Sequence, residues 1–162
     1  MEPQANPERE FLRHAVATLA YRAEKVLKDV PAHFPNLRIA EGVRTPAEIL
    51  SHMGDLLDWA LWLAKGTHVW RDTPPREWND DVARFFESLT LFDRFLASGV
   101  NPGAVPGKLF QGPVADALTH VGQIALMRRL AGVPVRGENY FRADIVPGRV
   151  GADQSARRVE FG

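Results

Sequence analysis

The chain has 162 residues, 45% of them hydrophobic and 25% charged, and no cysteine; that is enough for one domain with an ordinary core, and it excludes disulfides, thiolate metal sites and cysteine nucleophiles. Twenty basic and twenty acidic residues cancel, and the isolated pairs Arg128–Arg129 and Arg157–Arg158 make no basic stripe, which argues against a nucleic-acid partner. The N-terminal MEPQANPERE lacks the apolar segment of a secretory signal, and Asp55 and Asp58 interrupt the most apolar stretch, residues 49–64, so a soluble cytoplasmic protein without a membrane span is expected.

Four stretches carry helical periodicity, separated by segments rich in proline and glycine. The first is expected from about Pro7 to Asp29. Asn6 suits its cap and Pro7 its first position. Phe11, Ala15, Leu19, Ala23 and Val26 form its apolar stripe, widened by Leu12, Val16 and Leu27. The second opens on Thr45-Pro46-Ala47-Glu48, a capping box with proline at the first helical position. Ile49, Met53, Leu56, Ala60 and Leu63 follow as its apolar face, and Gly66 is the expected stop.

The third stretch runs from about Asn79 to Ser98, with Val82, Phe85, Phe86, Leu89, Phe92 and Leu96 as a bulky face. The fourth runs from about Pro113 to Ala131, with Val114, Ala117, Leu118, Val121, Ile124 and Ala125 inward. Residues 133–162 show little periodicity but carry Tyr140, Phe141, Ile145 and Val146, so this tail is expected to pack on the helices. The pattern implies one all-α domain over residues 1–162: a four-helix bundle with its core in residues 8–132 and an irregular tail over 133–162. Connections of about 12 to 16 residues exceed the roughly 2–8 of a simple bundle, so crossovers are allowed.

With no cysteine, a metal site must draw on His, Asp, Glu or water. His33 and His68 fall in connections, and His14 lies on the first helix. His52 is three residues after Ile49 and four before Leu56, and His120 stands in the same relation to Ala117 and Ile124, so both face inward. Asp116 is the i−4 neighbour of His120, on the same side of the helix. A core-facing carboxylate is costly unless it is paired or bound to a cation. Two neutral imidazoles and a carboxylate suit zinc, nickel or ferrous iron, and three protein ligands leave a position for water or substrate. The alternatives are ordinary ones: hydrogen-bonded core histidines, and an Asp116 favoured by the helix dipole or paired with Arg129.

The second-helix segment TPAEILSHMGDLLDWAL and the fourth-helix segment DALTHVGQIALMRRLAG carry a resemblance. The sequence resembles the DinB-like superfamily of metalloenzymes, which includes bacillithiol- and mycothiol-dependent transferases. The family pattern has one His on the second helix and His-x-x-x-His on the fourth, the last followed by x-Gly-Gln. His52 matches the first position, and His120, before Val121-Gly122-Gln123, matches the last. The middle position is Asp116 instead of His, and a carboxylate can bind the same ion. The resemblance spans roughly residues 8–132. It implies an up-down-down-up bundle, a divalent metal (zinc or nickel foremost), a homodimer, and a small-molecule substrate or low-molecular-weight thiol.

Other residues leave alternatives open. Asp55 or Asp58 could hold the second imidazole N–H of His52, although a salt bridge is the commoner fate. Trp59, Trp62, Trp70 and Trp78 could line a pocket or pack in the core. Residues 136–144 could fold over an open coordination position or act as a clasp. Two functions remain in view: a metal-dependent transferase or hydrolase, and a non-catalytic dimeric bundle serving structure, interaction or stress response.

Overall fold

The computed structural model describes residues 6–161. Its helices are α1 (Pro7–Leu27), α2 (Pro46–Ala64), α3 (Trp78–Ala97), the single turn α4 (Pro106–Leu109) and α5 (Ala115–Leu130), with a π-helical turn at Phe110–Val114 joining the last two. Among the described residues there is no strand, only an isolated bridge between Glu138 and Glu160. Among the described residues no helix is long and apolar enough to cross a membrane.

The helix starts follow from local chemistry. Asn6 Oδ1 accepts from the amides of Glu8 and Arg9 at 3.1 and 3.2 Å, satisfying two donors that the first turn leaves open. The capping box forms in full: the Thr45 amide donates to Glu48 Oε2 at 2.8 Å, and the Glu48 amide to Thr45 Oγ1 at 3.2 Å. At the head of α3, the buried Asp81 carboxylate accepts from the Arg76 amide at 2.8 Å and from Arg76 Nε at 3.0 Å.

The fourth helical stretch departs from expectation. Helix starts at Pro106, not Pro113, and Pro113 lies inside the π turn. A proline inside a helix removes one amide donor, and its ring crowds the carbonyl four residues back, here Leu109. A π turn widens the spiral at that point and lets the helix continue. Phe11 also departs: it is 68% exposed, while Leu12, Ala15, Val16 and Leu19 are buried.

The four long helices pack around one core. Phe85, Leu89 and Phe92 of α3 share one core with Met53 and Leu57 of α2, Val16 and Leu19 of α1, and Ala117 and Ile124 of α5. α1 packs on α3 and α5, and so does α2, whereas the consecutive helices α1 and α2 make little contact. The side-chain pairings give the directions. Arg84 meets Ser51 and Asp55 while Ser88 meets Asp58, so α2 and α3 run the same way. Arg13 meets Asp93, and Trp78 meets the Leu27 carbonyl, so α1 opposes α3. His52 faces His120 while Trp59 approaches Gly112, so α2 opposes α5. The long connections over residues 28–45 and 65–77 carry these crossovers.

The tail packs along α1. The Tyr21 hydroxyl donates to Glu138, Lys25 Nζ donates to the Ser155 carbonyl, and Val150 is buried. Burial and the neighbouring carboxylate push the Tyr21 hydroxyl well above its ordinary pKa, so it stays a donor.

One polar cluster fixes α2 against α3. The Arg84 guanidinium donates to Asp55, to Asp58 at 2.9 Å and to the Ser51 carbonyl at 3.3 Å. It lies flat on Gly54, where a Cβ would come within 2.9 Å of Nη1. Asp55 also accepts from the Thr73 amide and hydroxyl at 2.8 and 2.6 Å, tying in the α2–α3 connection. Arg84→Ala would strand a carboxylate that is 3% exposed. It is expected to lower unfolding stability by about 3 kcal/mol in denaturant titration; a loss under about 1 kcal/mol would contradict this role for the pair.

Candidate metal centre

His52 lies on the second turn of α2 and His120 midway along α5. Because these helices oppose each other, the imidazoles meet with ring centres 4.8 Å apart and planes perpendicular. Asp116, one turn before His120, reaches between them. One carboxylate oxygen lies 3.7 Å from His52 Nε2 and the other 3.5 Å from His120 Nε2. Ligand atoms of the three residues all lie within 4.8 Å of one another, and the group could hold a metal ion.

The spacing suits a shared cation. Both carboxylate–imidazole separations exceed the roughly 2.7–2.9 Å of a charge-assisted hydrogen bond. With one ligand atom taken from each residue the separations reach up to 4.8 Å, wider than the ~3.4 Å edge of a tetrahedron whose arms are ~2.1 Å, so a bound ion would draw the three side chains together. The donor set, two imidazole nitrogens and a carboxylate, is the kind that divalent transition metals take.

Burial and hydrogen bonding prepare the donors. The His120 side chain is 9% exposed, and its Nδ1 lies 2.8 Å from Gln123 Oε1. That acceptor favours the tautomer with the proton on Nδ1, in which the Nε2 lone pair faces Asp116. The His52 side chain is 18% exposed. Burial, aided by the charge of Arg44 and by His120, holds its pKa below 6.5, while Asp116 pulls the other way. The neutral imidazole that a metal needs is thereby favoured. Asp116, with its side chain 48% exposed, opens the site to solvent.

The surroundings are partly aromatic. Trp70 stands edge-on to His52 with ring centres 5.6 Å apart, and Trp59 packs on Trp70 at 5.7 Å. Two clefts flank the triad. One, of about 310 Å³, runs past His120 and Gln123 between Ile39, Ile49 and Met127. The other, of about 270 Å³, runs past His52 toward Glu48, Asp72 and Thr73. Arg44 borders both and has no ion-pair partner among the described residues. A larger cleft, about 770 Å³, lies by the C-terminal end of α1 and contains none of the three residues.

Several expectations change here. Asp55 and Asp58 bind Arg84, Thr73 and Ser88, not His52; the guanidinium on α3 is the stronger partner for them. Asp116 faces the two histidines and makes no ion pair with Arg129 among the described residues. Trp59 and Trp70 form a wall beside the site, whereas Trp78 packs on Phe34 and Trp62 lies under Lys65. The segment over residues 136–144 does not cover the triad. Glu138 and Tyr140 clasp Tyr21 on α1. Gln123 and Arg44 join the site without having been expected there. Gln123 is three residues after His120, the spacing at which helix side chains meet, so the sequence does carry a signal for it.

Comparison with protein-family models, curated proteins and solved structures gave no match.

The lowered pKa of His52 has a measurable consequence in metal-free protein. Between the lowered value and 6.5, the unfolded state binds the proton that the folded state excludes. Stability contributed here is intact above pH 6.5 and falls as the pH drops through that value. Denaturant midpoints measured from pH 8 to pH 5 are expected to fall less steeply in His52→Gln than in the parent. Identical slopes would show that His52 is not held neutral by the fold.

Proposed function

We propose that this chain is a metal-dependent enzyme of the transferase or hydrolase class, DinB-like in design, with zinc or nickel held by His52, Asp116 and His120. The observation that carries this reading is the convergence of the three ligand atoms within 4.8 Å. It is supported by Gln123, whose Oε1 lies 2.8 Å from His120 Nδ1 and favours the tautomer that leaves Nε2 free. A bound divalent ion supplies Lewis acidity, lowering the pKa of water or a thiol and polarising an acceptor group.

The chain's own residues have definite parts. His52 and His120 present neutral nitrogen donors. Asp116 brings one negative charge, so a divalent ion would retain a net positive charge toward substrate. Trp70 and Trp59 wall the His52 side of the site with aromatic surface. Arg44, on the rim of both clefts, adds a second positive charge and favours an anionic substrate or thiolate. No side chain is placed here as a general base.

Protein purified without an affinity tag is expected to take up close to one equivalent of zinc or nickel in calorimetry. His120→Ala should weaken uptake by about two orders of magnitude or more, and Gln123→Ala by about 10–100-fold. Uptake below about 0.1 equivalent would remove the basis of the proposal. Turnover of electrophiles with low-molecular-weight thiols, present in the metal-loaded parent and absent in His120→Ala, would establish the transferase reading. Stoichiometric metal without turnover of thiol or hydrolysable substrates would favour a non-catalytic bundle.

A further inference from the structure

A second site lies about 12 Å further along α5, the rise of eight helical residues from His120 to Arg128. A cavity of about 190 Å³ is lined by Lys25, Lys28, Asp29, Arg128, Arg136 and Arg157, together with Pro134 and Val135. In a chain with no net charge, five cations from α1, α5 and the tail converge on one hollow. Lys25 and Arg128 are 3% and 8% exposed, so the cations form the floor as well as the rim.

The nearby carboxylates do not use up these cations. Glu24 pairs with both Lys25 and Lys28, at 2.8 and 2.9 Å. Glu160 pairs with Arg136 at 2.7 Å. Glu138, held by the Tyr21 hydroxyl, stays 3.9 Å from Arg157 Nε. With Asp29 included, four carboxylates face five cations. The Arg128 guanidinium has no carboxylate partner within ion-pair distance among the described residues. Its Nε and Nη1 donate to the backbone carbonyls of Val133, Val26 and Lys28. Its Nη2 has no protein acceptor among the described residues. Arg157 forms an ion pair with Glu138 without a hydrogen bond: its Nε and Glu138 Oε1, 3.9 Å apart, are both sealed from solvent without a closer partner.

We propose that this cavity is a binding site for a small tetrahedral oxyanion of the phosphate type, held by the unspent Nη2 of Arg128, which has no carboxylate partner, with Arg157, Lys28 and Arg136 supplying further positive charge around it. A guanidinium has five N–H donors and cannot be neutralised by deprotonation, so one without a carboxylate recruits an anion. Donors arriving from three segments of the chain suit oxygens pointing in several directions better than the two coplanar oxygens of a carboxylate. The volume is below the about 300–1,000 Å³ of sites for drug-sized ligands, which selects a free ion over a nucleotide. Bound there, the ion would join the C-terminal ends of α1 and α5 to the tail. The site owes nothing to the metal centre, and its test is independent of it.

Inorganic phosphate is titrated into the full chain by calorimetry and thermal unfolding, against chloride at matched ionic strength, with acetate as a planar comparison. One saturable site is expected, with a Kd of about 1 mM or tighter and acetate weaker by about tenfold. His120→Ala should bind phosphate unchanged, since the ion is not on the metal centre. Arg157→Gln should lose about tenfold or more in affinity. The double variant Lys28→Gln/Arg136→Gln, made at the exposed rim where folding is not at stake, should lose a similar factor. The proposal is overturned if phosphate acts no differently from chloride, if the double variant binds as tightly as the parent, or if His120→Ala abolishes binding.

Discussion

The phase of α5 against α2 governs everything at the candidate centre, and that phase is set at Pro113. A proline at this point would break an ordinary helix, because its ring opposes the Leu109 carbonyl. The π turn at Phe110–Val114 absorbs the conflict and rotates α5 relative to an uninterrupted helix. Asp116 begins within one turn of that bulge, and His120 is one turn further. Both therefore face α2, where His52 waits on an opposing helix. The Arg84–Asp55–Asp58 cluster fixes the other side of α2, so His52 sits on a helix tied to α3 and to the connection through Thr73.

This geometry makes sense of a polar trio beside an apolar core. Val121, Ile124, Ile49 and Met53 are buried, and the two imidazoles lie largely within this apolar surround, whereas Asp116 is half exposed and keeps its carboxylate in contact with water. The carboxylate alone comes to 3.7 and 3.5 Å of the two imidazoles, longer than direct hydrogen bonds and suited to a shared ion. Gln123 adds to this because it commits the remaining nitrogen of His120.

Much of this is legible in the sequence where the signal is local. The capping box at Thr45–Glu48 and the Asn6-Pro7 start rest on interactions spanning three residues, and both form. The inward positions of His52 and His120 follow from spacing within one helix, and so does the shared side of Asp116 and His120. The misreadings have non-local causes. Pro113 resembles a helix start because the earlier turn at Pro106 has no side-chain cap. Phe11 fits the α1 stripe by spacing, yet it lies on an apolar groove with Val105 and Phe110 instead of in the core. Asp55 and Asp58 are near His52 in sequence, but their partner Arg84 is on another helix, 29 and 26 residues away. The cation-lined cavity joins α1, α5 and the tail, and no window of sequence displays it.

In the proposed centre three side chains from two helices form one metal site. Crystals grown with zinc, with diffraction collected on both sides of the zinc absorption edge, test it most directly. A single strong anomalous peak is expected between α2 and α5, about 2.0–2.2 Å from His52 Nε2, His120 Nε2 and an Asp116 carboxylate oxygen. An empty position there, with zinc bound only elsewhere on the surface, would contradict it.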